Sequence, residues 1–456
     1  MAGIGFELRK VLKRDRLSSI IKAYGYSAML SAGPWVVSIL AIIAVGFINI
    51  SNYLGNAVAS FQIIVTYAIA LASSLIVTGI LQLPYTRYVA DLIFKNREDE
   101  ILPSYFGSIF LSWVLGIPFI LFIVFWAFPD ESFFFKSIVS STFLVLCAVW
   151  ISSILAASLK FYKSVVLAYF LSYLFIVIAS YLFGHTIEAL LYIFLVGNSM
   201  LLLMLMLLII KRYDATRFIN INFFKEKNFY WTLAIAGLAY NFGSWIDKFI
   251  FWYHPLTGID VIGKLHASLV YDIPIFIAYL SIIPGMAVFF YRLEVDFAQK
   301  YDLYYEAVRE SGTLELIRKY RNEMVFVVRH ALFEIIIIQG ILDIFMFLTV
   351  DKIFSLLSIP QLYAGLLFIL TIGAMLQLAF MSVLAILYYL DRKKVAMWLC
   401  IAFFLLNGVF TLISIDMGPY FYGYGYAVSL LLVFTASLII IRNQMENLDY
   451  ETFMLQ

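Results

Sequence analysis

Long apolar stretches alternate with short polar ones along the whole of this 456-residue chain. A helix needs about 20 apolar residues to cross a hydrocarbon core of about 30 Å, where lipid offers backbone groups no partner. We predict spans at residues 22–48, 58–83, 105–128, 138–158, 164–184, 188–210, 229–253, 266–291, 326–349, 362–390, 395–413 and 423–441. The pattern therefore predicts an all-α, polytopic membrane protein with twelve transmembrane helices.

Basic residues divide unequally between the two sets of connecting segments. Cytoplasmic segments retain Lys and Arg, whereas translocated segments lose them. Of the 31 Lys and Arg residues, 27 fall on one side, and the other side holds only Lys136, Lys248, Lys264 and Lys352. An error of one span would destroy this asymmetry. It therefore predicts an even number of spans, with both termini in the cytoplasm.

Three segments outside the spans complete the predicted organisation. Residues 1–21 place apolar residues at helical spacing between Lys and Arg, which predicts a basic amphipathic helix on an anionic membrane surface; the alternative is a topology signal without fixed structure. Residues 292–324 predict a cytoplasmic amphipathic helix that is either a linker under the bundle or a docking face. Residues 442–456 are a cytoplasmic tail.

A weak internal repeat relates the two halves of the chain. An offset of 210 residues places Gly33-Pro-Trp35 on Gly243-Ser-Trp245 and also aligns the start of span two with that of span eight. Many transporters consist of related halves that face a shared path. We therefore predict two six-helix lobes, 22–212 and 229–441, related by pseudo-two-fold symmetry.

Polar residues inside spans are costly and usually face a bundle interior or water. At 100° per residue, one face of span one carries Tyr24, Ser27, Ser31, Pro34, Trp35 and Ser38. The corresponding face of span seven carries Gly237, Tyr240, Asn241, Ser244, Asp247 and Lys248. These faces predict two walls of a substrate path, although packing between helices produces the same pattern.

Charged residues at matched depth suggest a gate near the outer end of the spans. Lys248 in span seven and Asp272 in span eight lie at similar levels, so we predict that Lys248 pairs with Asp272 or Asp247. The alternative is that Lys248 extends to the outer surface. In span nine, His330 and Glu334 share a helical face and could couple transport to protons, unless both anchor the helix at the inner interface.

The composition argues against enzymatic, nucleic-acid-binding and metal-binding functions. The chain is 64% hydrophobic and 13% charged with a net charge of +2, which excludes a soluble catalytic domain or a nucleic-acid surface. Its two cysteines, Cys147 and Cys400, lie in separate spans, and its four histidines lack paired ligand spacing. We expect no enzyme activity, no metal and no cofactor.

Pro274 and Pro284, with Gly285, predict a bend in span eight.

The opening MAGIGFELRK, Ser-Ala-Gly-Pro-Trp in span one and twelve spans over 456 residues resemble the PelG family, the membrane transporters of Pel exopolysaccharide systems. That family is similar to the multidrug/oligosaccharidyl-lipid/polysaccharide flippases, which implies two six-helix lobes and alternating access. The resemblance also implies export of a growing N-acetylgalactosamine-rich polysaccharide across a bacterial inner membrane. The partners that it implies are PelD, PelE and the cytoplasmic glycosyltransferase PelF.

The charges within the spans bear on the substrate. Flippases for pyrophosphate-linked lipids need cations along their path, usually Arg. Apart from Lys248, no Lys or Arg lies deep in a predicted span, which favours a neutral sugar polymer. The alternatives are a lipid-linked oligosaccharide flippase and a membrane scaffold that recruits a glycosyltransferase without transporting anything.

Overall fold

The computed structural model describes residues 25, 27, 29, 33–50, 55–65, 72–158, 161–214, 217–225, 229–356 and 360–454. The chain forms two compact units. The first unit is Gly33–Leu269, and the second comprises Val270–Gln456 together with Met1–Ala32. The predicted basic helix at 1–21 lies outside the described residues. The predicted lobes, 22–212 and 229–441, divide the chain at a different point and stay a prediction.

Ten helices and one hairpin make up the described part of the first unit. The helices are α1 (Gly33–Ile50), α2 (Gly55–Ile63), α3 (Ala72–Phe94), α4 (Ile101–Ala127), α5 (Phe133–Ser158), α6 (Tyr162–Phe183), α7 (Ile187–Ile210), α8 (Asn222–Lys225), α9 (Trp231–Gly243) and α10 (Ile246–Tyr253). Strands β1 (Ile259–Ile262) and β2 (Leu265–Ala267) form the antiparallel hairpin. In the core, α5 packs on α4 and α7, and α1 packs on α6.

The described residues of the second unit form helices and the turns between them. Its helices are α11 (Leu269–Ser281), α12 (Ile283–Tyr291), α13 (Ala298–Arg309), α14 (Leu314–Leu356), α15 (Ala364–Tyr389), α16 (Lys393–Asp416), α17 (Tyr424–Glu446) and α18 (Leu448–Met454). Helix α17 packs against α15 and α16, and α14 packs against α12, α13 and α15. Leu269, the first residue of α11, is the last residue of the first unit.

Nine helical stretches among the described residues are long and apolar enough to cross a membrane. They correspond to predicted spans three to six and eight to twelve. Span one is described as α1, which contains a shorter apolar stretch at Val36–Ile48. Span two is described as α2 and α3, and span seven as α9 and α10. Each predicted span thus has a helical counterpart.

Several helices extend beyond the predicted spans, and one span begins later than predicted. Helix α3 runs to Phe94, beyond the predicted end at residue 83, and includes Pro84. Span eight begins at Leu269 rather than residue 266 because the preceding residues belong to the hairpin. Gly263, with φ of +58°, turns this hairpin where an added Cβ would lie 2.2 Å from the Ala127 carbonyl oxygen. The all-α prediction therefore needs this one small sheet added.

The predicted amphipathic helix at 292–324 is two helical arms instead of one helix. A π-helical segment at Arg292–Phe297 joins α12 to α13, which ends at Arg309. The chain turns at Ser311, where φ is +57°, and α14 then begins at Leu314 and continues into span nine. An ion pair of 2.7 Å between Lys300 and Glu323 joins the arms. The apolar spacing along α13 gave no signal for this turn.

Candidate functional site

Span seven is interrupted in its middle. Helix α9 ends at Gly243, Ser244 and Trp245 form a turn, and α10 begins at Ile246. An interruption frees backbone groups that must find partners within the protein when they lie in a membrane. Discontinuous helices of this kind form substrate and ion sites in transporters. The turn is therefore the first candidate for a functional site.

A buried ion pair follows this turn. The side chains of Lys248 and Asp247 are 1% and 0% exposed, and Lys248 Nζ lies 3.2 Å from Asp247 Oδ2. The same Nζ donates a hydrogen bond of 2.9 Å to the Ser244 carbonyl and lies 5.5 Å from the centre of the Trp245 ring. Lys248 thus neutralises a carboxylate and satisfies a carbonyl at the interruption. Its burial contradicts the alternative in which it extends to the outer surface.

Asp272, the other predicted partner of Lys248, lies in α11 and is 3% exposed. It belongs to the second unit, whereas Lys248 belongs to the first. The pairing of Lys248 with Asp272 stays a prediction. So does the role of the three charged residues as an outer gate.

Two glycines allow α9 to cross α3 closely. A Cβ on Gly237 would lie 2.3 Å from the Gly79 carbonyl oxygen, and one on Gly79 would lie 2.5 Å from the Asn241 side-chain nitrogen. The backbone contact excludes a side chain at Gly237, whereas one at Gly79 would require Asn241 to shift; such close crossings of small residues are typical of membrane helices. Asn241 also donates a 3.0 Å hydrogen bond to the Gly237 carbonyl. This part of the predicted polar face therefore serves helix packing.

The rest of the predicted path divides between buried and partly exposed residues. Ser38 is buried and donates a 2.9 Å hydrogen bond to the carbonyl of Pro34, which is half-buried. Tyr240 and Ser244 are also half-buried, and the Ser244 hydroxyl donates to the Tyr240 carbonyl. Helix α1 packs on α6 and α9 packs on α3. The two-walled cavity stays a prediction.

Four other predicted path residues are described in part or not at all. Ser27 is fully buried. Tyr24, Ser31 and the side chain of Trp35 lie outside what the structure describes.

His330 and Glu334 have separate surroundings. Glu334 accepts a hydrogen bond of 2.5 Å from Arg292, which also pairs with Asp296. His330 is exposed, and its ring stacks on Phe326 with centroids 5.8 Å apart. Proton coupling through the two residues stays a prediction. Its test is whether Glu334→Gln changes the pH dependence of transport.

Uncharged polar side chains that no sequence pattern indicated link the helices of the first unit. Their hydrogen bonds join Trp150 to Ser74 at 2.9 Å, Tyr105 to Ser152 at 2.6 Å, and Ser153 to Tyr169 at 2.9 Å. Helices α3 to α6 each contribute to these contacts. Isolated Ser and Tyr residues carry no spacing signal that distinguishes them from packing residues, so the sequence offered no means of finding the set.

The second unit holds a buried acid that the sequence analysis also missed. Asp343 in α14 is 3% exposed, and Gln339 donates a 3.0 Å hydrogen bond to its Oδ1. The same Gln339 amide donates to the carbonyl of Ser281 in α11, at 3.2 Å. An acidic residue inside the predicted span nine was a visible signal. Together the three residues form a polar cluster within the apolar packing of this unit.

Within the described ranges, no group of three or more His, Cys, Asp or Glu residues has the geometry of a metal site. Cys147 and Cys400 are both free and buried. Cys147 lies in the apolar core of the first unit.

Comparisons with known proteins bear on both the family and the fold. The family described as "PelG: Putative exopolysaccharide Exporter (EPS-E)" matches residues 1–453. No curated protein matches the chain. The family match therefore spans all but the last three residues.

Solved transporter structures share the fold. An outward-facing multidrug resistance MATE family transporter of the MOP superfamily matches with a TM-score of 0.68 and 13% identity, over 94% of this chain and 97% of its own. A MOP superfamily transporter from Pyrococcus furiosus Vc1 matches with a TM-score of 0.65 and 13% identity, over 94% and 96%. The fold is therefore the twelve-helix, two-lobed fold of these transporters. By sequence, the chain belongs to the PelG family.

Proposed function

We propose that this chain exports a growing, N-acetylgalactosamine-rich polysaccharide of the Pel type across the bacterial cytoplasmic membrane. The route is of the alternating-access or channel-like kind. The family and the transporter fold support export of an exopolysaccharide in general. The proposal adds the identity of the polysaccharide, the direction of transport and the membrane that is crossed. It also includes assembly with PelD, PelE and the glycosyltransferase PelF, with both termini in the cytoplasm.

The observation that carries the choice of substrate is the charge of the buried polar residues. Among the described residues, Lys248 is the one Lys or Arg that is buried, and Asp247 neutralises it. The other buried polar side chains are mainly hydroxyls and amides. A pyrophosphate-linked lipid requires cations, whereas a neutral sugar needs hydroxyl and amide partners. This distribution supports a neutral polymer over a lipid-linked oligosaccharide.

Labelling at the interruption of span seven tests the proposed route. Replacing Cys147 and Cys400 by Ala gives a cysteine-free chain, into which Ser244→Cys is introduced. Cells that carry the Pel synthesis proteins are treated with a bulky, membrane-impermeant thiol reagent, and secreted polymer is measured with a lectin for N-acetylgalactosamine. We expect labelling at residue 244 to abolish secretion, because Ser244 is half-buried in the turn that we place on the route.

The control is Leu203→Cys in the same cysteine-free chain. Leu203 is 61% exposed on α7, and an exposed apolar residue of a spanning helix faces lipid. We expect unchanged secretion after treatment of this variant. Full secretion from labelled Ser244→Cys would contradict a route beside α9. Accumulation of a lipid-linked oligosaccharide in the treated cells would instead indicate a flippase.

A further inference from the structure

A groove lies between the cytoplasmic ends of α14 and α17 in the second unit. Its volume is about 580 Å³. The apolar part of its wall includes Val328 and Leu332 from α14 and Leu438 and Ile441 from α17. Three arginines complete it at the cytoplasmic side, namely Arg321, Arg329 and Arg442. The groove thus joins an apolar wall to a basic edge.

The basic edge keeps a net positive charge. Arg321 is paired with Asp449 of α18 at 2.6 Å, and Arg442 is paired with Glu446 at 2.9 Å. Arg329 is exposed and forms no ion pair with a described residue. One unit of positive charge is therefore left over when these pairs are counted. An anion at this edge would meet the guanidinium groups of Arg329 and Arg442 and, beside them, the Glu446 carboxylate that pairs with Arg442.

The groove lies at the level expected for the inner surface of the bilayer. Arg329 lies in the first turn of predicted span nine, and Arg442 directly follows predicted span twelve. The distribution of basic residues places both of these ends on the cytoplasmic side. Leu332 and Leu438 lie about one helical turn further along the spans, at the depth of lipid chains. Basic pockets between transmembrane helices on this side are typical sites for anionic headgroups.

We propose that this groove binds one anionic phospholipid of the inner leaflet. The lipid phosphate contacts Arg329 and Arg442, and the upper part of an acyl chain lies against Leu332 and Leu438. Guanidinium groups suit this role because they bind phosphate oxygens in a bidentate manner. A zwitterionic lipid offers the same chain but brings a cationic group to a basic edge. The site therefore selects for the charge of the headgroup.

Lipid retention by the purified full chain tests this proposal. The protein in detergent is incubated with equal amounts of phosphatidylglycerol and phosphatidylcholine of identical chains, and native mass spectrometry counts the lipids retained. We expect one phosphatidylglycerol to be retained in preference to phosphatidylcholine. The double substitution Arg329→Gln, Arg442→Gln should weaken that retention by about tenfold to thirtyfold, given the usual contribution of each basic residue near an anionic surface.

Two further variants separate the groove from general charge. Lys211→Gln with Arg212→Gln removes the same charge from exposed residues at the end of α7, and it should leave retention unchanged. Leu438→Trp fills the groove without altering charge, and it should lower phosphatidylglycerol retention. Each variant must elute as the parent does in size exclusion. Equal retention of the two lipids, or equal loss in both double substitutions, would overturn the proposal, as would a wild-type level in Leu438→Trp.

Discussion

Lys248 shows how an interrupted helix can accommodate a buried charge. Removing a charge from water is costly, and the cost is offset only by a close partner with good hydrogen bonds. Asp247 supplies the partner charge, and the Ser244 carbonyl accepts a hydrogen bond from the ammonium group. The residue is therefore a structural part of the turn, whatever its role in transport.

Replacing Lys248 alone should destabilise the protein more than replacing both Lys248 and Asp247. Lys248→Met leaves the Asp247 carboxylate buried without its partner, which typically costs about 3–5 kcal/mol. We expect a marked fall in the apparent melting temperature in detergent, measured by fluorescence. The double substitution Asp247→Asn, Lys248→Met should recover most of that loss. A single variant as stable as the parent would show that the carboxylate is neutralised in another way.

For single residues, the sequence predicted which side chains are buried charges more readily than it predicted which side chains contact each other. Lys248 and Asp247 were identified because charges in spans are rare, and that rarity is visible in a sequence. The same reasoning applied to Asp343 would have found the cluster with Gln339. The sequence could not show that Asn241 lies over Gly79, because helix spacing defines a face and not the helix that covers it.

Among the helices, the crossing of α3 and α9 depends on the absence of two side chains. Gly237→Ala would bring a Cβ to 2.3 Å from a backbone oxygen, which cannot be relieved by a change of rotamer. We expect the helices to separate, at a cost of about 1–3 kcal/mol as in other overpacked sites. The measurement is the apparent melting temperature together with polymer secretion, and both should fall.

The matched control is Gly340→Ala in α14. An added Cβ there meets nothing within 4 Å. Alanine in a helix interior is favoured over glycine by about 0.5–1 kcal/mol, so this variant should be at least as stable as the parent. Equal losses in the two variants would show that α9 does not need its close approach to α3.

The existence of elements was easier to predict than their ends. Hydropathy identified the spans because the requirement for apolar length is set by the bilayer itself. The bend predicted for span eight has a counterpart in the interruption at Ile282, between α11 and α12, whereas Pro274 lies within α11. The hairpin at 259–267 and the turn at Ser311 were missed, since both depend on local backbone conformations that apolar periodicity does not record.

For the whole molecule, orientation in the membrane is the prediction that the remaining proposals need. In the cysteine-free chain, Lys264→Cys should react with an impermeant thiol reagent in intact spheroplasts, because the β1–β2 turn follows an outward span. Ser311→Cys, in the turn between α13 and α14, should react only after the membrane is permeabilised. Both positions are exposed, so access is decided by the side of the membrane. The reverse pattern would contradict the proposed topology.

The two-lobed transporter fold was predictable at this scale, whereas a complete path was not. Twelve apolar stretches predicted the spans, whereas the weak repeat between the halves and the family resemblance predicted the two lobes. The path depends on how polar faces such as those of Ser38 and Tyr240 meet, and Ser38 is buried while Tyr240 is partly exposed. A single chain also carries no record of its partners, so PelD, PelE and PelF stay part of the proposal.

In the proposed topology, α13 and the first part of α14 continue the membrane helices into the cytoplasm. With 43 residues, α14 is about 65 Å long, whereas the hydrocarbon layer is about 30 Å thick. Helix α13 follows α12 through a helical segment without a loop, and the two arms pack against each other and share the Lys300–Glu323 ion pair. We therefore expect a protein that pushes or turns this pair of arms to displace the membrane-embedded parts of α12 and α14 as well.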